Sequence, residues 1–350
     1  MIAPSPLGNR AGQGYGHGMS THPFDDIAAL MANLPGPDLE ACVRTAEREG
    51  RLTKPLGSLG RLEEIVDWLA AWRGVTPPKV IRPVIALYAG AHGVAARGVS
   101  AFRPSMARQS LELIAAGGAP ISQMAAFHGA GLEVFDLAID RPVADITEKA
   151  AMSARECAAT MAFGMEALAK QPDLLILGEV AAGNTTAAAA IAHGLYGGQA
   201  QDWTGRGGGI DEAAYALKLE AVRTAVARAK AEGAEAPFEI LRQVGGREIA
   251  AIAGAILAAR IQKVPVLLDG YGVGAAAAVL HAMDPSALDH CMAGHVSAEL
   301  GHRLLLEKIG KTPLLDLGLS MGAATGAAAA LGLIKLACEV HGGTATQDQA

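Results

Sequence analysis

A glutamate, an asparagine and a threonine lie close together along one stretch of the chain, and their types suit acid–base chemistry and anion binding. Glu179 follows an apolar run, Asp173 to Leu177, which has the length and composition of a buried strand. Asn184 or Thr185 is placed to cap a helix that continues through a series of alanines to about His193. A carboxylate at the carboxyl end of a strand can accept a proton from a bound nucleophile.

Two glycines, Gly178 and Gly183, border this turn and would let the backbone approach a ligand closely. The helix that follows offers free backbone N–H groups and a positive dipole end, which suit a phosphate. The stretch matches neither a P-loop nor a G-x-G-x-x-G fingerprint. On these residues alone, an ordinary strand-to-helix turn with a solvated glutamate is an equal alternative.

A second candidate is the glycine-dense loop that contains Gly205, Arg206 and Gly207. It precedes a helix that carries Lys218. An arginine on a glycine loop and a lysine on the next helix together predict a mobile segment that covers a bound phosphate. The alternative interpretation is a flexible surface loop followed by a solvated helix.

Two further polar residues follow later strand or turn patterns. Asp269 lies at the carboxyl end of a strand predicted over 264–268, where it could contact a substrate or cap the next helix. Ser297 lies near a helix start and is predicted to donate to a phosphate. His295 and His302 are seven residues apart and lack the H-E-x-x-H pattern, so no metal site is predicted.

The composition narrows the class of protein. A net charge of −6 without a basic stripe argues against nucleic-acid binding. No run of 18 apolar residues is free of charges or turn signals, so no membrane contact is predicted. The four cysteines are scattered without metal spacing, which is typical of reduced, buried thiols in a cytoplasmic protein.

Apolar strand patterns alternate with helical patterns along most of the chain. The sequence therefore predicts an α/β fold, a doubly wound and mostly parallel sheet, with a smaller helical domain formed from the N- and C-terminal segments. The strands are predicted at 83–88, 131–137, 173–177 and 264–268. We expect a flexible tail over 1–23, a small helical domain from 24–80 with 327–350, and a large substrate-binding domain over 81–326.

Seven motifs in order carry a resemblance that extends from about residue 25 to 340. They are K-P-L-G-S-L-G-R-L-E at 54–63, H-G-V at 92–94, G-E…G-N-T-T at 178–186, G-R-G-G-G at 205–209, V-G-G at 244–246, P-V-L-L-D-G at 265–270 and H-V-S-A-E at 295–299. Together they resemble the nicotinate-nucleotide–dimethylbenzimidazole phosphoribosyltransferases of cobalamin nucleotide-loop assembly.

The resemblance implies a reaction between two small molecules. A ring nitrogen of 5,6-dimethylbenzimidazole attacks the anomeric carbon of nicotinate mononucleotide, nicotinate leaves, and α-ribazole 5′-phosphate forms with inversion. Such a reaction needs rigid binding of the ribose phosphate and a carboxylate that removes the benzimidazole proton. The resemblance implies no cofactor and no metal, and it implies a homodimer.

The resemblance also assigns roles by position. Glu179 matches the active-site glutamate of the G-N-T-T segment, and Lys218 and Ser297 match phosphate-contacting positions. Phe102 and Gln109 fall where the aromatic base is held. The segment that contains Gly322, Ala323 and Gly326 matches a pocket-lining motif.

This chain departs from the family pattern at three positions. The usual catalytic base lies in L-G-E-G-(S/T)-G, and here the glutamate's position is Ala323. Ala91 replaces an aspartate before His92, and Ala182 replaces the second glycine of the turn at 178–183. Glu179 or a water that it holds could be the base, the acceptor base could differ, or the protein could bind its ligands without efficient turnover. A hydrolase or phosphatase is less favoured, because the sequence shows no metal-ligand cluster.

Overall fold

The computed structural model describes residues 22–349 and contains a six-stranded, fully parallel sheet in the order β2-β1-β3-β4-β5-β6. The predicted tail over 1–23 therefore lies almost entirely outside the described residues. The strands are β1 (Pro83–Ala91), β2 (Gly131–Asp136), β3 (Leu174–Ala182), β4 (Val266–Leu268), β5 (Cys291–His295) and β6 (Pro313–Leu315).

Fourteen α-helices surround this sheet within the described part of the chain. They are α1 (Asp25–Met31), α2 (Leu39–Glu49), α3 (Arg61–Arg73), α4 (Pro104–Ala115), α5 (Pro120–His128), α6 (Ala154–Gly164), α7 (Asn184–Tyr196), α8 (Ala200–Trp203), α9 (Glu212–Ala231), α10 (Pro237–Val244), α11 (Arg247–Ile261), α12 (Tyr271–Met283), α13 (Leu300–Lys308) and α14 (Thr325–Gly343). Three short 3₁₀ segments lie at Gly93–Arg97, Met165–Leu168 and Pro285–Leu288.

Helices cover both faces of the sheet. Successive strand side chains point to opposite faces, so Leu175 and Leu177 join one apolar cluster while Leu174 and Ile176 join the other. The first cluster includes helices α6, α7 and α9–α12, and the second includes α3, α4, α5 and α14. The doubly wound α/β fold is therefore confirmed. Within residues 22–349, no helix is both long and apolar enough to cross a membrane.

The strands β1 and β3 were the easiest to predict because every one of their residues is buried. A strand that is buried on both faces reads as a continuous apolar run. The short strands β5 and β6 were missed. Cys-Met-Ala-Gly-His carries no β-branched residue, and β6 is only three residues long, so neither gives a strand signal.

The terminal helices divide between the two faces. Helix α14 packs against α3, and α3 packs against α2. Helix α1 lies with the other cluster, where the ring of Phe24 is 5.4 Å from the ring of Phe238. The small helical domain over 24–80 with 327–350 stays a proposal, with α2, α3 and α14 as the helices that contact one another.

The sheet register places the polar turns at one edge. Glu179 of β3 lies opposite Tyr88 of β1, and both strands run on beyond the short strand β4. The segments after β1, β3, β4 and β5 therefore meet at the carboxyl edge of the sheet, where open α/β sheets bind ligands.

Candidate active site

A cavity of about 400 Å³ opens at the carboxyl edge of the sheet. That volume suits a small organic ligand. Eight of the residues selected from the sequence line it: Phe102, Glu179, Asn184, Thr185, Gly207, Ser297, Gly322 and Ala323. The spacing of these residues along the chain is large, so the fold brings together motifs that the sequence keeps apart.

Glu179 is the carboxylate of this cavity that lies on the central strand. It is 6% exposed, and its Oε1 accepts a hydrogen bond of 2.9 Å from the side-chain amide of Asn184. Its Oε2 is buried without a hydrogen-bond partner in the described part of the chain. Burial, together with the nearby carboxylates of Asp269 and Glu248, raises the pKa of Glu179 to about 8. The side chain therefore keeps a strongly basic oxygen free for a ligand.

The helix that follows Glu179 begins differently from the sequence prediction. Gly183 is the N-cap of α7, with a left-handed φ of +87°, and no side chain caps the helix. Asn184 is the first helical residue, and its amide binds Glu179 instead. The N–H groups of the first turn are therefore not taken by a capping side chain and can face an anion.

Lys218 on α9 brings a positive charge to the same end of α7. It is 1% exposed, and its Nζ donates hydrogen bonds of 2.9 Å to both Thr185 Oγ1 and the backbone oxygen of Gly205. The nearest carboxylate is Glu299, whose Oε2 lies 3.9 Å from Nζ. Burial lowers the pKa of Lys218, and Glu299 opposes that shift. An anionic ligand would stabilise this buried ammonium.

The other eight selected residues are not part of the cavity lining: Gln109, Gly178, Gly183, Gly205, Arg206, Lys218, Asp269 and Gly326. Arg206 forms an ion pair with Glu212, and its guanidinium lies 5.0 Å from the centre of the Tyr215 ring. The glycine loop therefore contributes Gly207 to the cavity lining, whereas Arg206 does not line the cavity. Gln109 is exposed, and its neighbour Ser110 lines the cavity instead.

Asp269 is fully buried behind the cavity and caps a helix other than the one that follows it. Its Oδ1 accepts a 2.9 Å hydrogen bond from the backbone N–H of Ala327, in the first turn of α14. His295 Nε2 lies 3.3 Å from the same oxygen. The next helix, α12, begins after Gly270 without a side-chain cap. Asp269 therefore ties the end of β4 to α14.

Ser297 binds a buried histidine. The Nδ1 atom of His302 lies 2.9 Å from the backbone N of Ser297 and 3.0 Å from its Oγ. Because a backbone N–H can only donate, Nδ1 must be the unprotonated acceptor. Burial lowers the pKa of His302 to about 3, which keeps the ring neutral. The hydroxyl hydrogen of Ser297 is therefore engaged by His302.

An apolar wall faces the polar residues across the cavity, and the sequence revealed only Phe102 of it. Leu113 and Ile114 contribute from α4, and Pro120 and Ile121 from α5. The only sequence signal for these wall residues was the amphipathic spacing of α4, which is equally typical of a helix that packs on the core. This wall offers apolar side chains to an aromatic ligand.

His92, in the H-G-V motif, pairs with a buried glutamate of the same chain. Its Nε2 lies 2.5 Å from Glu248 Oε1, and both side chains are fully buried. A Cβ on Gly246 would overlap the His92 ring, so V-G-G at 244–246 makes room for the pair. Glu248 was not selected from the sequence, because nothing local links residue 248 to residue 92.

The cavity has no metal-binding cluster. In the segment 22–349, no group of three or more His, Cys, Asp or Glu side chains is arranged to hold a metal ion.

The lysine and arginine of the motif at 54–63 form ion pairs with nearby glutamates. Lys54 pairs with Glu49 and Glu63, and Arg61 pairs with Glu64.

Glycines selected from the sequence let the cavity walls approach one another. A Cβ on Gly178 would overlap the backbone nitrogen of Ala324, and one on Gly326 would overlap the His295 ring. We expect Gly178→Ala to lower the free energy of unfolding by about 1–3 kcal/mol, because backbone atoms must shift. Urea denaturation would measure this effect.

The matched control is Gly332→Ala on α14. There the nearest atom to an added Cβ is His128 Cε1 at 3.7 Å, an ordinary contact. Because alanine is the better helix former, we expect this change to be neutral or to stabilise by about 0.5–1 kcal/mol. Equal losses in the two variants would contradict the close-contact argument for Gly178.

Comparison with known proteins identifies the family. A family model described as phosphoribosyltransferase matches residues 34–350. The chain is 57% identical over 328 residues to the nicotinate-nucleotide–dimethylbenzimidazole phosphoribosyltransferase of Sinorhizobium medicae, covering 94% of this chain and 96% of that protein. The protein of the same name from Brucella anthropi is 56% identical with the same coverage.

A solved structure agrees with these sequence relatives. The crystal structure of the protein of that name from Thermus thermophilus superimposes with a TM-score of 0.81 at 34% identity. The match covers 89% of this chain and 98% of that one. The chain therefore belongs to the nicotinate-nucleotide–dimethylbenzimidazole phosphoribosyltransferase family.

Proposed function

We propose that this protein transfers the phosphoribosyl group of nicotinate mononucleotide to 5,6-dimethylbenzimidazole or a related base, in cobalamin biosynthesis. The observation that carries the proposal is the single cavity in which Glu179, Thr185 and Gly207 face an apolar wall, with Lys218 bonded to Thr185. A ribose phosphate needs the cationic side, and an aromatic heterocycle needs the apolar side. The names of the relatives support the same pair of substrates.

The proposed binding site of the phosphate is the start of α7. Lys218 carries three N–H donors, and Thr185 and Gly205 occupy two of them, so one is left for a ligand. Thr185 Oγ1 accepts from Lys218 and keeps its own hydrogen to donate. Gly207 lies beside both groups, because its Cβ position is 3.1 Å from Thr185 Oγ1 and 3.4 Å from Lys218 Nζ.

Glu179 is proposed as the proton acceptor. The ring nitrogen donates its lone pair to the anomeric carbon while the bond to nicotinate breaks, and that electron pair neutralises the departing pyridinium. The alkylated benzimidazole is then a cation, and its N–H proton passes to Glu179. With a pKa of about 8, about a tenth of Glu179 is ionised at pH 7, so kcat/KM should rise with pH up to about 8.

A direct assay tests the proposed reaction. The purified protein is incubated with nicotinate mononucleotide and dimethylbenzimidazole, and released nicotinate and ribazole phosphate are measured by chromatography. Product formation supports the transferase. Binding of both substrates without product, for any benzimidazole or purine tested, would defeat it and favour a protein that only binds these ligands.

Ala323 offers a separate test of the base. Ala323 lines the cavity where the family pattern has a glutamate, and its backbone N–H donates to the backbone oxygen of Glu179 at 3.2 Å. If Glu179 already accepts the proton, Ala323→Glu should change kcat by no more than about tenfold, well inside the roughly 10²–10⁴-fold effect of a general base. A gain of about 10² or more would mean that the chain lacks its base.

We also propose a homodimer and a cytoplasmic location. The dimer is supported by the family resemblance and by large apolar side chains at the surface, such as Leu39 at 71%, Leu56 at 77% and Phe127 at 85% exposure. The location is supported by the four cysteines, which form no disulfide. Light scattering in solution would measure the assembly.

A further inference from the structure

The hydrogen-bonding groups of the cavity separate into two kinds. Lys218, Thr185 and the start of α7 present donors. Glu299, which also lies near Gly207, presents carboxylate oxygens that accept, and Ser297 of the same cavity presents the lone pairs of its Oγ. A phosphate suits the donors and would be repelled by the Glu299 carboxylate. The acceptors therefore suit a different part of the substrate, one that donates hydrogen bonds.

Ser297 is an acceptor because its hydrogen is already used. His302 Nδ1 accepts from the backbone N–H of Ser297, so it carries no proton, and the hydroxyl 3.0 Å away can bond to it only as a donor. The Oγ lone pairs are left, and one is approached by the backbone N–H of Glu299 at 3.4 Å. The phosphate-donor role that the sequence predicted for Ser297 would require its hydroxyl hydrogen to turn away from His302.

Glu299 is a buried carboxylate whose oxygens lack hydrogen bonds. Its side chain is 7% exposed, and neither Oε1 nor Oε2 has a hydrogen-bond partner among residues 22–349. Lys218 is 3.9 Å away and binds other oxygens. A Cβ on Gly205 would overlap this carboxylate, so the glycine loop makes room for it. A buried carboxylate without donors is costly, and a ligand with hydroxyl groups would satisfy it.

We propose that Glu299, with Ser297 beside it, binds the hydroxyl groups of the ribose and sets a preference for ribose over deoxyribose. Two adjacent hydroxyls supply two donors to a carboxylate with two free oxygens. The phosphate at Lys218 lies close enough for one sugar phosphate to reach both groups, because Gly207 lies 3.7 Å from Glu299 Oε2 and 3.4 Å from Lys218 Nζ when measured from its Cβ position. This inference rests on the proposed donor substrate.

The test measures binding of stable probes by calorimetry. The wild-type protein, Glu299→Gln, Ser297→Ala and the control Glu307→Gln are titrated with ribose 5-phosphate, 2-deoxyribose 5-phosphate and inorganic phosphate. Glu307 is an exposed glutamate on α13. We expect wild type and control to prefer ribose 5-phosphate by about tenfold or more, as for hydrogen bonds to a charged group. Glu299→Gln should reduce that preference to below about threefold.

Binding of inorganic phosphate separates the possible outcomes. If Glu299 binds the sugar hydroxyls, the affinity for inorganic phosphate should be unchanged in Glu299→Gln. An equal loss of affinity for phosphate and for both sugar phosphates would show that Glu299 only supports Lys218. Wild-type binding of both sugars with equal affinity would overturn the inference and leave the proposed function standing. Wild-type failure to bind any of the three probes would overturn the inference, and the product assay would still decide the proposed function. If Glu299→Gln does not fold, the wild-type preference between the two sugars decides.

Discussion

Replacing Glu179 with glutamine is expected to lower kcat/KM by about 10²–10⁴-fold, the usual effect of removing a general base. Glutamine has nearly the same shape, and its amide oxygen can still accept the hydrogen bond from Asn184 that Oε1 accepts now. Substrate binding should therefore change little, while the proton has no acceptor. The acid limb of the pH–rate profile, with its midpoint near the Glu179 pKa of about 8, should disappear from the residual activity.

The same substitution should stabilise the protein at alkaline pH. A carboxyl group whose folded pKa is raised binds its proton more tightly in the native state than in the unfolded one. Stability is therefore fully present below the ordinary pKa of 4.5 and falls as the pH rises towards about 8. Glutamine imitates the protonated form at every pH, so Glu179→Gln should be more stable than wild type at a pH of about 8.5 and similar at about 4.5.

Urea denaturation at the two pH values measures this difference, with the exposed Glu235→Gln as the matched control. The control should leave both the activity and the pH dependence of stability unchanged. Full activity of Glu179→Gln would remove Glu179 from the mechanism. Lost activity with an unchanged pH dependence of stability would contradict the raised pKa.

The fold was predictable to the extent that burial leaves a local pattern. β1 and β3 are covered on both faces, so their apolar runs stand out in the sequence. β5 and β6 owe their conformation to pairing with neighbouring strands, and their own residues carry no strand preference. The sheet order also depends on those contacts between distant segments.

The site was predictable where spacing along the chain fixes geometry. Glu179 and Asn184 are separated by one turn, so a strand-to-helix motif alone brings them together. Arg206 was selected as a phosphate ligand, but Glu212, six residues away, takes its charge. A sequence shows that a charged residue is present and does not show which neighbour satisfies it.

Glu299 illustrates the opposite case. In the sequence it is the last residue of the H-V-S-A-E motif and was given no role, and its significance comes from the lack of a hydrogen-bond donor around it in the described structure. The proton position on His302, which makes Ser297 an acceptor, likewise follows from contacts across the turn before α13. Such roles depend on which donors and acceptors still lack a partner once the chain has folded.

Lys218→Met is expected to raise the KM for nicotinate mononucleotide on the order of 10²-fold, since hydrogen bonds between charged groups contribute about 1.5–3 kcal/mol. Methionine keeps the length of the side chain and removes the only buried ammonium beside the start of α7 in the described residues. The phosphate is unchanged between substrate and transition state, so kcat should fall less than KM rises. Lys230→Met, at an exposed position near the end of the same helix, is the control and should match wild type.

A second donor without the phosphate, nicotinate riboside, shows whether Lys218 acts through that group. In wild type, removing the phosphate should cost about as much in kcat/KM as removing Lys218, and the two changes together should cost little more than either alone. This non-additivity would assign the phosphate to the ammonium. If the two fold-losses in kcat/KM multiply instead, Lys218 acts by maintaining the shape of the cavity, and the phosphate must bind elsewhere.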